Sequence, residues 1–256
     1  MALLEVRNLT VSYGGLIAND AIDLDCEAGS LVGLIGPNGA GKTTLIDAIT
    51  GFASVADGSI TLDGRDLAGR PPAARAAMGL ARTFQSLELF EDLTVRDNLL
   101  AAADRPTWYS FFADLVAPRR HEQRSRDRVA WALDAMQLEA FADQQPSELS
   151  HGQRKLVSLA RAVVARPGLV LLDEPAAGLD TGESAALGRR LRRLVDDGTS
   201  LLLVDHDMSL VLDVCDHVYV LDFGTVIAHG APADVRANPD VVRAYLGGDP
   251  DLAETP

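Results

Sequence analysis

The chain has 256 residues, and 47% of them are hydrophobic, which is enough for a sizeable core and a second small subdomain. Its 23 Lys and Arg residues stand against 37 Asp and Glu residues, so the formal net charge is -14 at pH 7, a field that repels phosphate backbones and argues against a general nucleic-acid binder. Cys26 and Cys215 match no metal or disulfide spacing. No apolar run reaches the roughly 18 residues of a membrane-spanning helix, and the first residues do not resemble a signal peptide. We therefore expect a soluble cytosolic protein.

The first part of the chain predicts strands. Residues 3–35 contain the runs LLEVRNLTV, IDLDCE and SLVGLIG, which are separated by Gly and Asp turns, and SITLDG adds a further strand-like run. From about Asp92 to Gln145 the pattern changes to Ala, Leu, Arg and Glu at helical spacing, with AWALDAMQLEAF clearly amphipathic. This block predicts a helical subdomain inserted into the sheet-forming sequence.

Continuous apolar runs follow the helical block. LVLLD and SLLLVDH are joined by the helical ESAALGRRLRRLV, and such runs are typical of parallel strands buried on both faces. The stretch VYVLDFGTVIAHG predicts a hairpin, PADVRANPDVVRAYLG predicts a short helix pair, and residues 249–256 are expected to be disordered. The fold class is therefore predicted to be α/β with a mainly parallel sheet.

The stretch GPNGAGKTT, at residues 36–44, lies between the apolar run LVGLI and the helix-forming LIDAIT. Its Gly-x-x-x-x-Gly-Lys-Thr pattern is that of a phosphate-binding loop, in which glycines let N–H groups converge and the following helix adds positive potential. Lys42, one of only two lysines, is predicted to reach the β- and γ-phosphates, and Thr43 to ligate Mg²⁺. The alternative is a Gly-rich turn with a chance lysine. The predicted ATP contacts of this loop are Gly36, Pro37, Asn38, Gly39, Ala40, Gly41, Lys42, Thr43 and Thr44.

Acidic residues and a histidine end the later apolar runs. Asp173 is placed to hold Mg²⁺, and Glu174 to polarise an attacking water. The alternative is a strand end whose charges are only solvated. His206 follows the next run, where open α/β sheets bind ligands, and it could contact a γ-phosphate oxygen, although a lone histidine at a strand end is usually structural.

The peptide LSHGQ, at residues 149–153, lies between the phosphate loop and LVLLDE in the order found in ATP-binding cassette proteins, and the chain resembles that family over nearly its whole length. Tyr13 resembles the aromatic residue that stacks on adenine, Gln85 the Q-loop glutamine, Asp180 the D-loop aspartate and His206 the switch histidine. The resemblance implies a P-loop NTPase fold with a RecA-like core, an N-terminal antiparallel β subdomain and an inserted α-helical subdomain. It also implies that Gln85, Glu174 and His206 are catalytic and that Thr43, Gln85 and Asp173 hold the metal.

In this family two cassettes pack head to tail, so that the LSHGQ-type peptide of each covers the ATP of the other. The resemblance therefore implies a second cassette, the same chain or a sister, as a partner. It assigns the contact in trans to Ser150, His151, Gly152 and Gln153. Ser150 can also cap the helix that follows. His151 departs from the commonest form of the peptide, which has glycine there.

The finer resemblance is to cassettes of branched-chain amino acid importers, carried by ARTFQSLELFEDLTVRDNLL, DEPAAGLD and the C-terminal stretch. It implies an ATPase on the inner face of the cell membrane, bound to transmembrane permease subunits and indirectly to an extracytoplasmic substrate-binding protein. Urea or short-amide uptake, lipopolysaccharide export and a non-transport role on nucleic acid or ribosomes remain alternatives. We expect one nucleotide-binding domain over 1–248, with an ATP-binding core at 1–91 and 157–230, helices at 92–156 and C-terminal helices at 231–248. Aromatics at 108–112 are expected to pack inside the helical subdomain, or else to form an exposed patch.

Overall fold

The computed structural model describes residues 2–83, 88–103 and 118–246. The strands are β1 (Ala2–Tyr13), β2 (Leu16–Glu27), β3 (Leu31–Ile35), β4 (Asp57–Leu62), β5 (Arg65–Asp66), β6 (Leu80–Arg82), β7 (Leu169–Asp173), β8 (Ser200–Val204), β9 (His217–Asp222) and β10 (Thr225–Gly230). The helices are α1 (Lys42–Thr50), α2 (Pro72–Ala77), α3 (Val95–Ala103), α4 (Pro118–Met136), α5 (His151–Val163), α6 (Thr181–Asp196), α7 (Met208–Val214), α8 (Pro232–Ala237) and α9 (Pro239–Leu246).

The central sheet has six strands in the order β10-β9-β3-β8-β7-β6. All neighbouring pairs are parallel except the β9–β10 hairpin. In β3, Leu31 and Ile35 pack into one hydrophobic cluster, while Val32 and Leu34 pack into the other. Because successive side chains of a strand point to opposite faces, a strand covered on both sides must be apolar throughout, which explains the continuous runs in β3, β7 and β8.

The second sheet is antiparallel, with four strands in the order β2-β1-β4-β5. Gly14 and Gly15, both with positive φ, connect β1 to β2, and Tyr13 pairs with Leu16 across this tight turn. The inner face of the sheet packs with α1 and one face of the central sheet in a single cluster. The antiparallel sheet therefore covers the side of the core on which the phosphate loop leaves β3.

The helical part consists of α3, α4 and the first half of α5, and its apolar side chains continue into the cluster on the other face of the central sheet. Helix α4 ends at Met136, because Gln137 adopts a left-handed conformation with φ 57°. Helix α5 runs unbroken across the predicted boundary between residues 156 and 157, so the division of the chain into core and helical parts stays a prediction.

The predicted fold class is confirmed, including the parallel pairing of LVLLD with SLLLV and the C-terminal hairpin and helix pair. The predicted Gln85, the aromatics at 108–112 and the terminal 249–256 lie outside the described residues. Within the parts of the chain that the structure describes, no helix combines the length and apolar character needed to cross a bilayer.

Candidate active site

The phosphate loop at residues 36–44 joins the carboxyl end of β3 to the N-terminus of α1. Gly41 is the N-cap of α1 in a left-handed conformation, with φ 99°, and it carries no side-chain cap. A Cβ on Gly41 would lie 2.6 Å from the Ala18 carbonyl oxygen, and one on Gly36 would lie 2.1 Å from the Leu221 carbonyl oxygen. Both positions therefore require glycine, because neighbouring backbone already fills the space that a side chain would need.

Two distant segments support this loop from outside. The Asn19 side chain, fully buried in β2, donates from Nδ2 to the Gly41 carbonyl at 3.2 Å. The Gly224 N–H in the β9–β10 turn donates to the Ala40 carbonyl at 3.0 Å, and the Asp20 N–H donates to the Gly224 carbonyl at 2.8 Å. The first two bonds are accepted by loop carbonyls, so they fix the shape of the loop without consuming its N–H groups, and the third joins the β9–β10 turn to β2.

Lys42 is folded onto the loop that it follows. Its Nζ donates to the Gly36 carbonyl at 2.7 Å and to the Pro37 carbonyl at 2.9 Å, and the residue is only 7% exposed. Burial lowers the pKa of Lys42, while the nearby carboxylates of Glu174, Asp173 and Asp205 act to raise it. The ammonium thus lies between the loop and the acidic strand ends, where a phosphate chain would be neutralised.

The loop opens into a cavity of about 410 Å³, within the size range of small-molecule sites. Thr43 and Thr44 line it together with Glu174, which directly follows β7, two strands away from β3 in the central sheet. Tyr13 is 52% exposed and is absent from the lining residues, although its cross-strand partner Leu16 is among them. The lining residues are Leu16, Ile17, Ala18, Asn38, Gly39, Ala40, Gly41, Lys42, Thr43, Thr44, Glu174, Phe223 and Gly224.

Asp173 ends β7 as a buried carboxylate. Its Oδ2 accepts a hydrogen bond from Arg82 Nη2 at 3.0 Å, and its backbone N–H donates to the Thr83 hydroxyl at 3.1 Å. Arg82 also donates from Nη1 to Asp47 Oδ1 at 2.5 Å, which links β7 to α1. No motif in the sequence assigns a role to Arg82. Its guanidinium holds the Asp173 carboxylate in place and balances its charge.

Glu174 follows in a left-handed conformation, with φ 49°, which is uncommon for a residue with a side chain. Its N–H donates to the Val204 carbonyl at 2.7 Å, so the turn is pinned to the end of β8. His206 Nδ1 lies 3.9 Å from Glu174 Oε2 and 3.5 Å from Asp205 Oδ1. Asp205 is fully buried and accepts from the Ala176 N–H at 3.0 Å, so it holds the two strand ends together.

The predicted cap of α5 is confirmed. Ser150 Oγ accepts from the Gln153 N–H at 3.2 Å, and Gln153 Oε1 accepts from the Ser150 N–H at 2.8 Å, which completes a capping box. One turn further on, Lys155 Nζ donates to the carbonyls of Pro175 and Ala177. The start of α5 is therefore tied to the segment that follows Glu174.

Other residues of the LSHGQ peptide lie against the start of α6 and the turn before it. A Cβ on Gly152 would lie 2.8 Å from Glu183 Oε1, and one on Gly178 would lie 3.8 Å from His151 Nε2. Asp180 caps α6 by accepting from the Glu183 N–H at 2.8 Å. His151 thus faces the glycine turn of its own chain, and Asp180 has a structural role in this state.

The ABC transporter family model matches residues 19–177, and a second model, described as a branched-chain amino acid ATP-binding cassette transporter, matches residues 225–251. The chain belongs to the ABC transporter family. It is 41% identical to the high-affinity branched-chain amino acid transport ATP-binding protein LivG of Salmonella typhimurium, over 96% of this chain and 98% of the relative. It is 35% identical to the lipopolysaccharide export system ATP-binding protein LptB of Escherichia coli, over 97% and 99%. A crystal structure of an ABC transporter cassette in its ADP conformation superposes with a TM-score of 0.84 at 31% identity, covering 96% of this chain and 99% of that one.

As an ABC transporter cassette, the chain is a nucleotide-binding ATPase whose hydrolysis is coupled to transport, and it associates with the membrane through permease components. The family assignment and the ATPase assignment made from the sequence are thus confirmed. In this cassette the structure brings together residues 36–44 with Asp173, Glu174 and His206. Residues 150–153 do not line the cavity at the phosphate loop, which we call the cradle. Gly152 instead lines a second pocket, which it shares with Asp173 and Glu174.

Several residues of the site were missed from sequence. Lys155 had a usable signal, since it is the only lysine besides Lys42. In the structure, burial lowers the pKa of Lys155, while the carboxylates of Asp205 and Glu174 act to raise it. Arg82 and Asn19 had none, because their partners lie 91 and 22 residues away along the chain. Phe223 lies in a hairpin turn that the pattern predicted, but nothing local placed that turn beside the phosphate loop.

Proposed function

We propose that this cassette powers the uptake of branched-chain or related small amino acids. The observation that carries the proposal is the match of residues 225–251 to the branched-chain cassette model, which lies outside the general ATPase match. The higher identity to LivG, 41% against 35% for LptB, supports the same substrate class. The phosphate cradle supports ATP as the energy source, with the triphosphate held by the loop N–H groups and Lys42.

The residues at the cradle fit Mg²⁺. This cation prefers oxygen donors and is usually held by one or two carboxylates together with substrate phosphates. Thr43 offers a hydroxyl, Asp173 a carboxylate with one oxygen on Arg82, and Gln85, outside the described residues, an amide. When bound, the cation would neutralise charge on the β- and γ-phosphates. Within the described residues no cluster of three His, Cys, Asp or Glu side chains could hold a metal ion.

Glu174 is proposed to orient and polarise the attacking water. It is the carboxylate that both lines the cradle and is held by a strained backbone, which is the condition expected of a preorganised group. We propose that His206, whose side chain is 58% exposed, contacts the γ-phosphate, with Asp205 Oδ1 3.5 Å from its Nδ1. The roles of Glu174 and His206 are proposed for these two side chains in addition to the family assignment.

A second cassette is proposed to complete the site. The N-terminus of α5 is a helix end that favours anions, yet its residues Ser150–Gln153 do not line the cradle of their own chain. A head-to-tail partner would bring its Ser150 and Gly152 over the nucleotide bound here. Asp180, at the start of α6, would then lie near the shared interface.

The permease is proposed to dock on a groove between the two parts of the cassette. This groove has a volume of about 390 Å³ and is formed by α2, β6, α3 and α5, with an apolar lining interrupted by Arg82 and Arg161. Arg82 lines this groove and also donates to Asp173 at the nucleotide site. We propose that this one side chain couples the nucleotide state of the cassette to the position of the permease. We propose that Gln85 contributes to the same link, and that the cassette lies on the inner face of the membrane.

The test is reconstitution of the cassette with its permease subunits in proteoliposomes. An extracytoplasmic binding protein loaded with leucine should raise the rate of ATP hydrolysis several-fold above that with the unloaded protein. Urea or a short amide serves as the matched ligand control. Stimulation by urea alone, or by lipopolysaccharide in the membrane, would assign the cassette to the corresponding alternative transporter.

A further inference from the structure

We propose that Phe223 is a nucleoside-contacting residue, whose ring packs against the base or ribose of the nucleotide held in the cradle. The proposal rests on nucleotide binding at residues 36–44 and adds a further ligand-contacting side chain, which lies far from the phosphate loop along the chain. Phe223 lies in the stretch VYVLDFGTVIAHG, for which the sequence predicted a hairpin and no ligand contact.

The first observation is the position of the ring. Phe223 lies in the turn between β9 and β10 and is 92% exposed, yet it lines the same cavity as Lys42 and Thr43. It is the aromatic member of that lining among the described residues, whereas Tyr13 does not line the cavity. A nucleotide whose phosphates occupy the loop would extend its nucleoside along this cavity, within reach of the ring.

The second observation is the backbone conformation. Phe223 has φ 42° and the following Gly224 has φ 80°, so both central residues of this tight turn are left-handed. Asparagine, aspartate or glycine would suit the first position better, because a bulky side chain is strained there. Backbone strain of this kind is concentrated at functional sites, so the positive φ of Phe223 supports a function for its exposed ring.

The third observation is that the turn is fixed to the cradle. Gly224 donates to the Ala40 carbonyl and accepts from the Asp20 N–H, at 3.0 and 2.8 Å, and a Cβ on Gly224 would lie 2.7 Å from the Ala18 carbonyl oxygen. The ring therefore projects from a residue whose neighbour is locked to the phosphate loop. A contact from such a position costs little conformational entropy when a ligand binds.

The surrounding chemistry suits a nucleoside rather than a further phosphate. Leu16 and Ile17, both exposed, line the cavity together with Phe223, so its rim is apolar while the N–H groups and Lys42 occupy the loop. Aromatic rings stack on any base, so the contact would strengthen binding without selecting one base strongly.

The experiment compares ADP with inorganic pyrophosphate in calorimetric titrations of the isolated subunit. Phe223→Asn removes the ring while suiting the left-handed turn. We expect it to weaken ADP binding about 5- to 30-fold, as for loss of a base–aromatic stack, with pyrophosphate affinity unchanged within about twofold. Phe223→Trp should keep ADP affinity near wild type. Val242→Asn, an exposed apolar position on α9, is the matched control and should change neither ligand.

The melting temperature of Phe223→Asn should equal or exceed that of the wild type, because the substitution relieves the turn. Equal losses of ADP and pyrophosphate affinity would indicate damage to the loop and overturn the proposal, as would unchanged ADP affinity. A defect seen only in ATP hydrolysis at concentrations that allow pairing would assign the ring to contact with a second copy instead. If wild type binds neither ligand, it is the nucleotide site itself that fails, and not the role of Phe223.

Discussion

The chain contains two helix N-termini of opposite construction, at α1 and at α5. Helix α1 begins after Gly41, a left-handed glycine without a side-chain cap, and the loop before it is braced through its carbonyls by Asn19 and Gly224. Helix α5 begins after Ser150, whose capping box with Gln153 satisfies backbone groups at both ends of the first turn. The N-terminus of α1 and the loop before it form an anion-binding site from residues of one chain. The N-terminus of α5 is already capped by its own side chains and needs no bound anion for stability.

The two helix N-termini therefore contribute to the proposed reaction site in different ways. The cradle depends on contacts from three parts of the chain, and changes there should affect binding or chemistry in a single molecule. The start of α5 depends on local contacts, so changes there should affect only what a second molecule needs from it.

Glu174→Gln tests the chemical half of the cradle. Because a positioned general base contributes about 10²- to 10⁴-fold, we expect ATP hydrolysis to slow by that factor while ATP affinity is retained. Steady-state phosphate release and equilibrium ATP binding are the measurements. Glu139→Gln, at an exposed position in a short 3₁₀ turn, should leave both values unchanged. Wild-type turnover in the Glu174 variant would remove that residue from the mechanism.

Arg82→Ala tests what holds the cradle to the acidic strand end. The substitution leaves the buried Asp173 carboxylate without its guanidinium and also breaks the contact to Asp47, so the free energy of unfolding should fall by about 3–5 kcal/mol. Urea denaturation measures this change. Arg193→Ala is the matched control, since its ion pair with Asp134 is exposed and should contribute less than about 1 kcal/mol. Similar losses in both variants would show that burial of the Arg82 pair is unimportant.

Lys42→Ala tests the cationic part of the cradle. Loss of charge-assisted hydrogen bonds to phosphate should weaken ATP binding about 100-fold or more, measured by equilibrium titration of the isolated subunit. Lys155→Ala removes the other lysine, which contacts backbone carbonyls outside the cradle lining, and its ATP affinity should stay near wild type. Unchanged affinity in the Lys42 variant would contradict the proposed phosphate contact.

Ser150→Ala tests the second helix terminus. Loss of the cap should lower stability by only about 1 kcal/mol and leave ATP affinity of the single subunit unchanged, because the residue does not line the cradle. ATP hydrolysis at concentrations that permit pairing should nevertheless fall. Thr94→Ala provides the control, since Thr94 accepts from the Asp97 N–H at the start of α3 and should cost similar stability without affecting hydrolysis. Normal hydrolysis in the Ser150 variant would argue against a site completed in trans.

The sequence predicted the parts of this molecule that depend on local pattern. Strands covered on both faces must be apolar throughout, so β3, β7 and β8 were visible as runs, and the phosphate loop needs glycines at fixed spacing. The cap at Ser150 was likewise local, since its partner lies three residues away.

What the sequence did not predict depends on contacts between distant segments. The pairing of Arg82 with Asp173 spans 91 residues, and no period or spacing marks it. Asp180 was singled out only for its resemblance to the D-loop aspartate, and the structure adds that it caps α6. Tyr13 was expected to stack on adenine, and that role stays a prediction, because its ring does not line the cavity while Phe223 does.

The hydrogen bonds that join Gly224 to Ala40 and Asp20 also set the order in which the protein becomes competent during biosynthesis. A nascent chain that has emerged as far as α1 already carries every residue of the GPNGAGKTT motif. It lacks Leu221 and Gly224, which meet the loop only after a further 170 or so residues have been made. We expect the phosphate loop of the truncated chain to lack this support. The chain should therefore begin to bind ATP only when β9 and β10 have been made, and not as soon as the motif has been synthesised.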